Sequence, residues 1–422
     1  MLTVGQANAR DAFMQFLLNK DEREFLLLGH SGCGKTYLTK DLIEKAIDQS
    51  KFLSHLMGQE GELNIFLTAT TNQAAENLNN ATGMPAGTIH SFLGLRVDND
   101  WKTGKTVLKK TSSWGIHYNT LIIVDEASMA DSALLQHIRE GTVGCKILYI
   151  LDPNQLLPVF ENKVPVLNST GTVAVLDETV RQQAGNPIIA LGAQLRNAIQ
   201  FGHPFPDIQT TGTNIIQLEP KEFQAKIDEL FLAPGHTSHK AKILAWTNKR
   251  VNKYNTYVRS LSHADEAITV GETLVANTAI IGNNRIPVIS NQQEVLVTEV
   301  EEPTMIDGVL GQWIVLNESY SVFRALNQND AEFQIKAASK LKNWPEYFRL
   351  KEFFADLRPV HASTVHKSQG STYDSVFIDL TDICSCNQRE EVLRMLYVAF
   401  TRARFNVYFR GQIPAKYLGS TP

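Results

Sequence analysis

Gly29-His30-Ser31-Gly32-Cys33-Gly34-Lys35-Thr36 spells a complete G-x-x-x-x-G-K-T. Residues of these types at this spacing cradle a triphosphate. The glycines let the backbone curl so that the N–H groups of Ser31, Gly32, Cys33 and Gly34 face an anion, and the start of the following helix adds partial positive charge. Lys35 can then reach the β- and γ-phosphates, and the Thr36 hydroxyl can ligate Mg²⁺. The flanks fit. Phe25–Leu28 is a short apolar run that reads as a buried strand, and Tyr37–Ile47 carries its apolar residues on one helical face.

A second apolar run, Leu121–Val124, ends in Asp125-Glu126. At the carboxyl end of a parallel strand these acids face the ligand crevice. Asp125 is placed to hold Mg²⁺, and Glu126 to take a proton from the attacking water. A third run, Lys146–Leu151, leads into Asp152-Pro153-Asn154-Gln155. The Gln155 amide can donate to a phosphate oxygen and accept from water, which suits a sensor of the terminal phosphate.

Elements that position such residues need a sizeable chain. At 422 residues two to four domains are expected, with 43% hydrophobic and 20% charged residues. No apolar run reaches the length of a membrane span, and Met1–Gln6 lacks the pattern of a secretory signal. The four cysteines, Cys33, Cys145, Cys384 and Cys386, form no zinc-type pairs of C-x-x-C. A reduced, cytoplasmic setting without membrane attachment is the expectation. The net charge of −4 excludes a uniformly basic coat, but a local basic track suffices for nucleic acid. Two sets qualify: Lys102, Lys105, Lys109 and Lys110, and then Lys336, Lys340, Lys342, Arg349 and Lys351 among Trp344, Tyr347 and Phe348.

The ordered set resembles a superfamily 1 helicase over nearly the full length. Asp125-Glu126-Ala127-Ser128 and Asp152–Val159 match its first half, Val360–Thr372 resembles motif V, and Leu396–Arg404 resembles motif VI. The wording is nearest to the 1B branch, the RecD/Dda-like group. The resemblance implies two RecA-like α/β motor domains with parallel sheets, a small hairpin insert and an SH3-like β insert. It implies that Gln6 recognises adenine, that Arg181 (motif IV) and Arg402 (motif VI) reach across a cleft to the γ-phosphate, and that Gly370 of motif V borders the nucleotide. It also implies that Thr70 and Asn72 (motif Ia), His90 (motif Ib), and Thr364 and His366 (motif V) grip a strand's phosphates, with aromatic faces stacking its bases and Trp101 a candidate for the hairpin tip.

The expected boundaries are 1–88 with 119–175 for the first motor domain, 89–118 for the hairpin, 176–260 with 359–422 for the second motor domain, and 261–358 for the β insert with a helical extension. The reading is an ATP- and Mg²⁺-dependent DNA helicase that moves on single-stranded DNA, 5′ to 3′ by resemblance, and opens forked duplex DNA without sequence preference. A monomeric motor in replication, recombination or repair, encoded by a bacteriophage and working beside single-stranded DNA-binding or replication proteins, is the expected setting. The rivals are an RNA helicase, distinguished by the 2′-OH, a non-catalytic DNA-binding P-loop subunit, and a P-loop enzyme for a small molecule, which would leave motifs V and VI without a task.

Overall fold

The computed structural model describes the chain except residues 1, 58–62, 100–105, 159–160, 179–185, 264–266, 283–286 and 419–422. Trp101, Lys102, Lys105 and Arg181 therefore lie outside the described residues.

Alternating short apolar strands and helices produce two all-parallel sheets. The first has six strands in the order Thr172–Leu176, Glu24–Gly29, Lys146–Leu151, Thr120–Asp125, Asn64–Ala69 and Ala86–Thr88. The strands Glu24–Gly29, Lys146–Leu151 and Thr120–Asp125 are apolar through their middles because both faces are covered. Phe25 and Leu27 pack with Phe13, Phe16, Leu38 and Leu42 on one face. Leu26, Ile122 and Val124 pack with Leu134 and Ile138 on the other. The strand order places the phosphate loop, the Gln155 turn and the acid pair on three successive strand ends.

The second sheet has five parallel strands: Ile215–Gln217, Ala403–Arg410, Tyr373–Asp379, Ala241–Ala245 and Ala362–Thr364. The run Ile243–Asn248, which reads as one strand in sequence, ends at Ala245. Thr247 instead caps the helix Asn248–Ser260, its side chain accepting from the Arg250 amide. Helices Pro187–Phe201 and Arg389–Thr401 share one core with this sheet through Leu191, Leu195, Leu396 and Phe400.

Between the sheet-two segments lies an antiparallel sheet. Its order is Thr304–Ile306, Val309–Leu316, Glu294–Val300, Thr273–Ala276 and Leu357–Pro359, with Tyr320–Ala325 also on Val309–Leu316. Helices Gln328–Lys340 and Trp344–Phe353 extend from it. The aromatics there pack internally: Trp313, Phe323 and Phe353 form one cluster with ring centroids 5.3–5.9 Å apart. In the first lobe, Leu95–Asn99 pairs antiparallel with Thr106–Lys110, inside the stretch 89–118 expected to hold a hairpin.

Candidate functional site

The phosphate loop folds as its residue types require. Gly32 and Gly34 have φ of 86° and 80°, the left-handed region open to glycine. At Gly29 an added Cβ would lie 2.5 Å from Cys33 Sγ, so the loop closes only over a bare backbone. Helix Lys35–Met57 begins at the lysine itself. Lys35 Nζ donates to the carbonyls of Gly29 (2.7 Å) and His30 (3.1 Å), which hold it along the loop. Thr36 is exposed at the helix start. Burial raises the Cys33 thiol, making it a packing group of the loop.

Gln6 braces this loop. Its Oε1 accepts from Thr3 N–H (3.1 Å), its own N–H donates to Thr3 Oγ1 (3.3 Å), and its Nε2 donates to the Cys33 carbonyl (3.2 Å). The amide is thus committed to a capping box and to the loop, at 2% exposure. One N–H and one lone pair remain for adenine, on a side chain that is almost wholly covered.

Asp125 ends its strand, and Glu126 follows at φ 50°. That left-handed turn is unusual for a residue with a Cβ and re-aims the carboxylate. Asp125 Oδ1 accepts the Glu126 N–H at 2.8 Å. Burial raises both carboxyls, with the Glu126 charge adding to the effect at Asp125, while Lys35 and Arg402 oppose it at Glu126. Glu126 Oε2 is buried without a protein partner. Two crowded acids and an orphaned oxygen beside a phosphate loop fit a Mg²⁺–triphosphate, with Thr36 and Asp125 as the holding groups.

The second lobe closes over these residues. Arg402, 4% exposed, is fixed by the carbonyls of Val398 (3.2 Å) and Ser371 (3.0 Å), and its Nη2 lies 3.5 Å from Ser31 Oγ of the loop. Arg404, by contrast, pairs with Asp374 at the surface (3.0 Å). Gly370, at φ 82°, lies where a Cβ would stand 3.9 Å from Glu126 Oε1, and its carbonyl accepts from Asn77 Nδ2 (2.9 Å). Gln155 is 2% exposed, and its Oε1 accepts from Gln369 Nε2 at 2.7 Å. In this state the proposed phosphate sensor therefore faces a partner amide of motif V.

A groove of about 1160 Å³ runs between both lobes and the antiparallel insert, and Thr70, Asn72, His90, Thr364 and His366 all line it. Thr70 Oγ1 donates to the Glu126 carbonyl (2.9 Å) and its N–H to that of Asp125 (3.2 Å), joining groove to acid pair. Asn72 Nδ2 contacts the Asn291 carbonyl of the insert at 3.4 Å. Thr364 Oγ1 accepts the Lys367 N–H (3.3 Å), and His366 Nε2 lies 3.6 Å from Glu391. Burial lowers the pKa values of His90 and His366, so both rings face the groove uncharged at neutral pH.

Among the described residues the basic lining comes from outside the two candidate lysine-rich stretches, and Lys102 and Lys105 lie outside the described residues. Arg96, Lys242, Arg358 and Lys367 line the groove with Glu294 as the acid among them, whereas Lys110 pairs with Glu140, Lys336 with Glu332, and Arg349 with Glu346 and Asp307. Those three side chains satisfy their charge in surface ion pairs. The Trp344–Phe353 aromatics pack within the insert; among the described lining residues, Tyr373 is the aromatic other than histidine. Sequence reading also passed over Gln369, Arg394 and Tyr397. The last two had a readable signal: positions 394, 397 and 401 share one helical face leading to Arg402.

Comparison with known proteins agrees with this layout. The AAA domain family model matches residues 1–219 and the UvrD-like helicase C-terminal domain model matches 359–409. The chain is 26% identical to the ATP-dependent DNA helicase dda of Enterobacteria phage T4, over 97% of this chain and 99% of that protein. It is 28% identical to the ATP-dependent RecD2 DNA helicase of Deinococcus radiodurans, over 40% of this chain and 21% of that one. Its fold is similar to that of Pif1 helicase from Bacteroides in complex with ADP-AlF3 and single-stranded DNA, with a TM-score of 0.53 at 15% identity, covering 100% of this chain and 95% of that one. With the loop, the acid pair and the cleft arginine set on two parallel sheets, the chain belongs to the superfamily 1B helicases, of the Dda/RecD-like kind.

Proposed function

We propose that this protein is an ATP- and Mg²⁺-dependent DNA helicase that travels on single-stranded DNA, 5′ to 3′, and separates forked duplex DNA. The observation that carries the reading is the direct link between groove and nucleotide residues: Thr70, on the groove, is bonded to the backbone of the acid pair. The loop amides and Lys35 bind the phosphates, and Thr36 with Asp125 would hold the metal ion, which supplies charge neutralisation at the phosphates. Glu126, its basicity raised by burial, takes the proton of the attacking water. Arg402 answers charge on the terminal phosphate from the other lobe, so its hold on the cleft lasts as long as that charge. Opening and closing of the cleft moves Thr364 and His366 against Thr70, Asn72 and His90 along one strand.

The division into motor domains at 1–88 with 119–175 and 176–260 with 359–422 belongs to this reading and is supported by the two separate parallel sheets. So do the roles of Arg181 as a second cleft arginine and of Trp101 at the hairpin tip. Groove contacts come from hydroxyl, amide and imidazole groups suited to phosphates, which supports sequence-independent binding. Among the described residues no helix is long and apolar enough to cross a membrane; work in the cytoplasm as a monomer beside replication proteins is the proposed setting. Unwinding of forked duplexes carrying a 5′ or a 3′ tail, in DNA and RNA versions, tests the proposal. Opening of the 5′-tailed DNA fork is expected; absence of nucleotide-dependent opening on every fork would end it.

A further inference from the structure

Tyr397 lies at the meeting point of the two lobes, and the acid pair's chemistry does not need it. It is 1% exposed on the helix Arg389–Thr401 of the second lobe. Its O–H donates to Asp152 Oδ2 at 2.6 Å, and its oxygen accepts the N–H of Ser31 at 3.3 Å. Asp152 is fully buried, and its Oδ1 accepts the Asn154 N–H at 3.0 Å, while its carbonyl accepts the Gln155 N–H at 3.2 Å. One phenol of the second lobe thus joins a phosphate-loop amide to the turn that presents Gln155.

We infer that Tyr397 is the positioning residue that passes the state of the phosphate loop to the Gln155 turn. The inference rests on the helicase reading and deepens it. Ser31 N–H belongs to the set of loop amides suited to an anion, and here the phenol oxygen takes that hydrogen bond. A phosphate oxygen is a stronger acceptor than a neutral phenol, so a bound triphosphate draws the amide away and leaves Tyr397 bonded to Asp152 alone. Burial and the Asp152 charge hold the phenol pKa well above its ordinary value, so it stays a donor throughout. The same helix grips the turn a second time: Arg394 Nη1 donates to the carbonyls of Pro153 (2.9 Å) and Gln155 (2.7 Å). A change at Ser31 therefore acts on a turn whose Gln155 meets Gln369, one residue from Gly370 and on the groove wall.

The test is Tyr397→Phe in the full chain, which keeps the ring and removes the hydroxyl. Affinity for a fluorescent single-stranded oligonucleotide is measured without nucleotide, with ADP and with a non-hydrolysable ATP analogue, beside the ATP KM and the melting temperature. Coupling between two sites commonly spans about 5–150-fold, and the wild-type affinity ratio between nucleotide states should fall in that range. In Tyr397→Phe that ratio should collapse to about twofold or less, with ATP still bound; a merely structural tyrosine would lower the melting temperature and leave the ratio alone. Asp152→Asn attacks the same bond from the first lobe and should lower the ratio, and the double variant should be no worse than Tyr397→Phe. A retained ratio in both single variants, or additive losses in the double, overturns the inference. A wild-type chain lacking any nucleotide-dependent ratio and any DNA-stimulated phosphate release would remove the helicase reading beneath it.

Discussion

Each lobe carries a parallel strand, a tight turn and a helix N-terminus at the carboxyl edge of its sheet, yet the two edges are used in opposite ways. In the first lobe Glu24–Gly29 leads through the glycine loop to Lys35, the first residue of its helix. In the second, Ala241–Ala245 leads to Trp246 and Thr247, whose N–H groups both donate to Asp382 Oδ2 at 2.7 and 2.8 Å, while Thr247 Oγ1 donates to Asp382 Oδ1 at 2.8 Å. The second lobe's anion site is filled by its own carboxylate. Next to it, the buried Asp379 is held by Arg250 (2.5 Å), Arg410 (3.0 Å) and Tyr254 (2.7 Å). In the proposed function one architecture binds the nucleotide, while the matching edge of its near-copy is occupied by Asp382. Function follows the side chains at the edge and not the fold beneath them.

The sharpest way to break this comparison is at the first edge. Lys35→Ala should lower DNA-stimulated phosphate release by about 10³, at the upper end of what one removed electrostatic donor costs, while single-strand binding persists; unchanged release would deny the first edge its role. Glu126→Gln keeps the shape of the side chain and loses the base. It should retain nucleotide binding and slow turnover by about 10²-fold or more, and a wild-type rate would unseat Glu126.

At the second edge the expected loss is of stability. Asp382→Ala leaves the N–H groups of Trp246 and Thr247 and the Thr247 hydroxyl without their acceptor, a cost of about 2–3 kcal/mol, readable by denaturant unfolding. Vacating the edge should create no second nucleotide site, because that turn lacks the glycines of the first; a stoichiometry of two nucleotides per chain would contradict this.

The two edges were not equally legible in the sequence. Residues 29–36 and 125–126 act through neighbours close along the chain, so their types and order suffice. Asp382 stands 135 residues from Thr247, and nothing local marks it as an internal anion. Gln369 likewise meets Gln155 across 214 residues. The groove cations were hidden for the same reason. Arg96, Lys242, Arg358 and Lys367 come from separate elements and converge only in three dimensions, while Lys110, Lys336 and Arg349 of the conspicuous basic runs pair with acids at the surface. Composition-based reading favours contiguous charge, and folding does not.

Acid should expose the second lobe first. His361 precedes the strand Ala362–Thr364, and burial, with the nearby charges of His236, Lys242 and His263 against Glu272, pushes its pKa down to about 3 from 6.5. Its folded form therefore resists a proton that the unfolded chain accepts. Above pH 6.5 the group is neutral in both states and contributes no slope, and below it stability falls as pH falls by at most about 1.4 kcal/mol per unit. His361→Phe should flatten the curve of unfolding free energy between pH 6.5 and 5; an unchanged slope would place the acid limit elsewhere.

The smallest effect concerns the groove where the two lobes meet. Lys367 is pushed down to about 8 by burial, aided by the Arg358 charge and opposed by Asp356, and its Nζ donates to Asn277 Oδ1 of the insert. The free protein should carry a full charge there at pH 7 and lose it as pH rises toward 9. If Lys367 meets a phosphate, single-strand affinity weakens over that interval, and the anion in turn stabilises the charged form. Lys367→Met should bind more weakly at pH 7, show little change between pH 7 and 9, and lower the slope of log affinity against log salt by about 0.7, the share of one phosphate contact on a single strand. His90 and His366 titrate below this interval because burial lowers both, so they cannot imitate the effect. A variant with the wild-type salt slope would show that Lys367 faces the insert only, and that the lobes grip the strand through neutral donors.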